Sequence, residues 1–141
     1  MSTTQERNKA LVRNFLAELD AGNRDILREV YSPDLVMHFP GSPPMGIDDL
    51  VAMVDTVYTA FPDFTHGIED ILADGEKVIV RMTDVGTHQG EYEGIPPTGK
   101  EISFGALAIM EIRNGMVVEL WEEIDMLGFM QQLGLELKPV T

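Results

Sequence analysis

The chain contains no cysteine, which excludes disulfides, thiolate catalysis, cysteine-ligated zinc and iron–sulfur clusters. Cations are also scarce: 10 Lys and Arg stand against 24 Asp and Glu, a formal net charge of −14 over 141 residues. A surface this acidic repels phosphate backbones and anionic headgroups, so neither nucleic-acid nor membrane binding is expected. No apolar run approaches the ~20 residues of a membrane helix. The first residues, Met1 to Lys9, lack an apolar signal core, and a cytoplasmic location is the resulting expectation. Gly-x-Gly-x-x-Gly after a strand, a phosphate loop and a Gly-x-Ser-x-Gly elbow are all missing. The three histidines, His38, His66 and His88, form no His-x-His or His-x-x-x-His pair, so no metal site is expected.

What remains is an ordinary globular composition, 44% hydrophobic and 24% charged, at the length of one domain spanning 1–141. Leu11, Val12, Phe15, Leu16 and Leu19 recur at helical spacing and stop at Asp20-Ala21-Gly22-Asn23. Asn23 can cap a short helix burying Ile26, Leu27, Val30 and Tyr31, ended by Ser32-Pro33. Leu35–Phe39 reads as a strand. A third helix starts at Asp48, presents Leu50, Val51, Val54, Val57, Tyr58 and Phe61, and closes at Phe61-Pro62-Asp63. The period then changes to two. Phe64–Leu72 and Lys77–Thr87 form one predicted hairpin, and Ile102–Ile112 with Met116–Asp125 a second across Asn114-Gly115. A short helix over Leu127–Leu133 completes an α+β fold: a curved antiparallel sheet packed against three N-terminal helices, with a pocket between them.

Alternation in the last strand puts Glu119, Trp121, Glu123 and Asp125 on one face and Val118, Leu120 and Ile124 on the other. Three carboxylates around the one tryptophan either meet solvent or line a cavity, where Trp121 can stack on a flat ligand. A carboxyl in such a cavity has its pKa raised towards acid/base use. Asp125 also precedes the last helix and can simply cap it. Glu119 and Glu123 fit paired surface charges as well as a pocket. His38 fits a strand packing position or a pocket donor, and His88 a loop residue or a donor. Arg81 can pair with a carboxylate or hold an anionic substrate group. The nine methionines suit core filling, or a soft cavity wall if several meet there. Phe104, Ala106, Ala108 and Met110 can offer a dimer face or cover the helices.

Phe61-Pro62-Asp63, Gly86-Thr87-His88-Gln89-Gly90, Gly94-Ile95-Pro96-Pro97-Thr98-Gly99-Lys100, Glu119-x-Trp121-x-x-x-Asp125 and Gln131-Gln132-Leu133-Gly134 occur in that order. Together they resemble the SnoaL-like polyketide cyclases, from Lys9 to Gly134. The resemblance implies the cone-shaped α+β barrel fold of nuclear transport factor two, ketosteroid isomerase and scytalone dehydratase. It implies intramolecular aldol ring closure of an aromatic polyketide ester without metal or cofactor, with one aspartate as acid/base at the place of Asp125. His38, Arg81, His88, Trp121 and Glu123 are then the expected substrate-binding residues. A small hydrophobic, aromatic or polycyclic ligand and a homodimer or homotetramer are the expected partners. A non-catalytic ligand-binding or assembly module on the same fold is the competing reading, and hydrolysis of an epoxide or ester a third.

Overall fold

The computed structural model describes residues 3–140. The chain runs α1 (Thr4–Asp20), α2 (Ile26–Val30), β1 (Tyr31–His38), α3 (Ile47–Ala60), β2 (Thr65–Asp74), β3 (Lys77–Thr87), β4 (Glu101–Arg113), β5 (Met116–Ile124) and α4 (Met126–Gln132). Thr3 starts α1 with a capping box: its hydroxyl accepts the Glu6 N–H while Glu6 accepts the Thr3 N–H. Asp49 Oδ2 accepts the Gly46 N–H at the head of α3, and Asp48, the expected cap, instead pairs with Arg28. Asn114 (φ 51°) and Gly115 (φ 76°) both take the left-handed conformation that a two-residue hairpin turn requires.

One five-stranded sheet, in the order β1-β5-β4-β3-β2, carries the helices on its inner face. The sheet is mixed and open. β1 pairs parallel to β5 and the remaining neighbours are antiparallel, so the expected α+β class with helices on one curved sheet holds, while the sheet is mixed where an antiparallel one was expected. β1 also begins earlier than its apolar run suggests, so Ser32-Pro33 lies inside an edge strand. A wide irregularity between Tyr31 and Val36 accommodates the missing proline N–H there.

Val12, Phe15, Leu16 and Leu19 of α1 and Leu50 and Tyr58 of α3 pack towards Val78, Val80 and Met82 of β3 and Phe104, Ala106, Ala108 and Met110 of β4. Those four β4 residues are therefore core and cannot form a dimer face. The outer face carries instead a row formed in register by His38, Trp121, Ile109, Ile79 and Leu72. Ala108 is too small to fill the space beneath the helices, and a cavity remains there. Among the described residues no helix is long and apolar enough to cross a membrane.

Candidate active site

The cavity holds about 500 Å³ between α1, α3 and the inner face of the sheet. Its wall is mainly apolar, including Phe15, Leu19, Val57, Phe61 and Phe104. Five of the nine methionines, Met45, Met53, Met82, Met110 and Met126, line it, giving the adaptable wall that such a cluster produces. Apart from His66 and three tyrosines its ionisable lining is carboxylic: Asp49 and Glu93 are exposed, whereas Asp84 and Glu122 line the interior. Among the described residues no Lys or Arg contributes to the wall.

Strand alternation explains the two inner carboxyls. Glu122 falls between Leu120 and Ile124 on the inner face of β5, and Asp84 follows Val78, Val80 and Met82 on the inner face of β3. Asp84 is 3% exposed and its Oδ1 has no hydrogen-bond partner among the described residues. Burial pushes the Asp84 carboxyl up to about 6, with His66 opposing the rise and Asp20 adding to it. Burial likewise pushes Glu122 up to about 7, reinforced by Asp84 and opposed by His66. Both groups are thus shifted towards the pH range where proton transfer is useful.

His66 faces Asp84 directly, as its cross-strand partner between β2 and β3. The His66 ring stands edge-on to Phe64 at 5.1 Å. Burial lowers its pKa, but the Asp20 contact and the charges of Asp84 and Glu122 outweigh this and leave it raised. Tyr58 donates its hydroxyl to Asp20, and Tyr31 lines the cavity near Glu122. Burial raises the pKa of both phenols.

The residues singled out from sequence lie elsewhere. Asp125 is exposed and caps α4, accepting the Gly128 N–H at 2.9 Å; it does not line the cavity. His38 stacks on Trp121 with ring centroids 5.4 Å apart and bonds Glu119 at 2.7 Å, all on the outer face. Lys77 covers the same indole ring at 5.2 Å. Glu123 is exposed, and Arg81 is an outer-face residue paired with Asp70 at 2.6 Å. His88 is wholly buried against Phe61, with Nδ1 accepting the Thr98 N–H, and it sits behind the cavity wall. None of these six lines the cavity; Trp121 and Glu123 miss it because β5 presents its odd-numbered side chains outward there. Asp84, Glu122 and His66 line the cavity instead. Glu122 and Asp84 carried a legible signal: each is an acid within an otherwise apolar period-two face. Among the described residues no three His, Asp or Glu side chains are grouped to hold a metal ion.

An open α+β sheet folded over an apolar cavity places the chain in the fold class of nuclear transport factor two. Within that class the pattern of the SnoaL-like polyketide cyclases matches residues 10–133, and the chain belongs to that family. Aklanonic acid methyl ester cyclase DauD of Streptomyces sp. (strain C5) is 28% identical over 131 residues, 88% of this chain and 80% of the relative. AclR of Streptomyces galilaeus, described as a candidate hydroxylase, superposes with a TM-score of 0.86 at 30% identity, covering 94% of this chain and 85% of its own. IdmH of Streptomyces antibioticus, described as a candidate polyketide cyclase, gives a TM-score of 0.80 at 28% identity, covering 91% and 99%.

Proposed function

We propose that the protein is a cofactor-independent cyclase that closes a ring by intramolecular aldol-type addition inside the cavity. The observation that carries this reading is the pair of inner carboxyls, Glu122 and Asp84, both raised to between about 6 and about 7 in an otherwise apolar chamber. An ionised Glu122 removes a proton from a carbon flanked by carbonyls, which is acidic enough to need only one positioned base. The enolate carbon then attacks a second carbonyl of the same molecule. The resulting alkoxide takes its proton from the His66–Asp84 side, so one C–H and one carbonyl become one C–C bond and one hydroxyl, and exchange with solvent then removes the proton from Glu122 and returns one to the His66–Asp84 side. Enclosure at near-contact distance supplies the rest, since holding reacting atoms ~3–3.5 Å apart removes much of the entropic barrier.

The wall without Lys or Arg favours an uncharged ligand, such as an ester, over a free carboxylate. A volume of about 500 Å³ suits a polycyclic aromatic molecule. Glu122 and Asp84 take the acid/base role that the family resemblance suggested for Asp125, because they line the chamber and Asp125 does not.

The test is turnover of a panel of cyclisable aromatic polyketide esters by wild type, Glu122→Gln, Asp84→Asn and Asp125→Asn. We expect Glu122→Gln to lose at least ~100-fold in kcat, the size of a general-base contribution. Asp125→Asn should turn over at nearly the wild-type rate. Saturable binding of the esters by every variant with no product from any, wild type included, would favour the non-catalytic module.

A further inference from the structure

Asp20 is an acid at the C-terminal end of α1, where it meets the negative end of the helix dipole. No basic residue lies in that last turn to offset it. Its carboxylate nevertheless takes three donors, none from its own helix. Oδ2 accepts the His66 backbone N–H at 2.9 Å, while Oδ1 accepts the Tyr58 hydroxyl at 2.9 Å and contacts His66 Nδ1 at 2.8 Å. Hydrogen bonds from His66 and Tyr58 and the His66 charge outweigh burial and hold this carboxyl below its ordinary value. An ionised carboxylate only accepts, so Nδ1 must carry a proton.

We infer that Asp20 is a positioning residue that locks His66 in the Nδ1–H form and thereby presents Nε2 to the cavity as the ring's exchanging atom. The inference rests on the cyclase reading for its purpose but not for its geometry. Backbone and ring of His66 are tied to the same carboxylate, so neither the start of β2 nor the ring can rotate independently. Phe64 blocks one side of the ring, and Asp84 stands beside it across the strand pair. The titratable groups facing His66 are Asp20 from α1, Asp84 from β3 and Glu122 from β5, with Tyr58 from α3 behind Asp20. A protonated ring therefore sits between Asp20 and the inner carboxyls, with its Nε2–H free to meet a developing alkoxide.

Long-range ¹H–¹⁵N NMR of the histidine rings tests this without any substrate, using His66→Gln to assign the signals. Wild type should show the neutral Nδ1–H tautomer of His66 and a midpoint above 6.5. Asp20→Asn, with its fold checked by spectral dispersion, should lower the midpoint by about one pH unit or more, as expected for losing an adjacent opposite charge. It should also mix the tautomers, and the pH profile of kcat should move with the midpoint while KM holds. An Nε2–H tautomer in wild type overturns the inference, as does an unchanged midpoint and tautomer in folded Asp20→Asn. If Asp20→Asn does not fold, Tyr58→Phe replaces it: the Nδ1–H form should persist, and its loss overturns the assignment. Loss of the cyclase reading with the tautomer intact would leave Asp20 as a lock on a binding-site histidine, so the two failures are distinguishable.

Discussion

Replacing Glu122 by Gln should make the protein more stable above neutral pH while removing its proposed activity. Burial raises this carboxyl from its ordinary 4.5 to about 7, so the folded state holds the proton more tightly than the unfolded chain does. Between those two values the unfolded state binds fewer protons, and stability falls as pH rises through the window. At about 1.4 kcal/mol per pH unit, the 2.5 units between 4.5 and about 7 correspond to about 3 kcal/mol lost by pH 8. A neutral amide of nearly the same shape carries no such penalty. At pH 5 both side chains are uncharged in the fold, and wild type and variant should agree within about 1 kcal/mol. At pH 8 Glu122→Gln should be the more stable by about 3 kcal/mol, read as a higher urea midpoint at unchanged slope. Equal stabilities at pH 8, or a less stable variant, would refute the placement of Glu122 where burial disfavours its charge. The proposed catalytic role would then lose its physical basis.

Asp125→Ala should cost about 1 kcal/mol through loss of the α4 cap while leaving turnover within about twofold, measured by unfolding and by assay on the same preparation. A large fall in kcat would return Asp125 to the chemistry. Self-association, expected from the sequence, has an outer-face row from His38 to Leu72 to use, with Leu107, 44% exposed, beside it. Sedimentation should find a dimer or tetramer in wild type and a monomer in Leu107→Glu; a monomeric wild type at micromolar concentration ends that expectation.

Helices and hairpins were legible because their periods are strong. The α1 stripe, the Asn114-Gly115 turn and the two long hairpins all lie where alternation and turn chemistry put them. The parallel pairing of β1 with β5 was not legible, since a single short strand carries no signal of its neighbour's direction. The site was half legible. Trp121 and its flanking acids attract notice by composition, yet Trp121 finds its partners in His38 and Lys77 on the outer face. Glu122 is inconspicuous inside the run Glu122-Glu123, and only strict alternation separates it from its neighbour. The tie from Asp20 to His66 spans 46 residues and joins a helix end to a strand start, a closeness that no local pattern encodes.

Trp121, Glu122 and Glu123 are consecutive, yet the backbone between them acts as a partition: the middle one belongs to the chamber and its neighbours to the exterior. Substitutions on the two sides can therefore accumulate almost independently, so a lineage can change what the chamber accepts without altering what the exterior touches. Length is what it cannot change. Deleting one residue of β5 ahead of Leu120 would slide the register against β4 by one step, send Glu122 outward and bring a neighbour in its place. Diversity in such proteins is then expected to arise by exchange of side chains within fixed strands, with insertions confined to loops such as the one from Gln89 to Lys100.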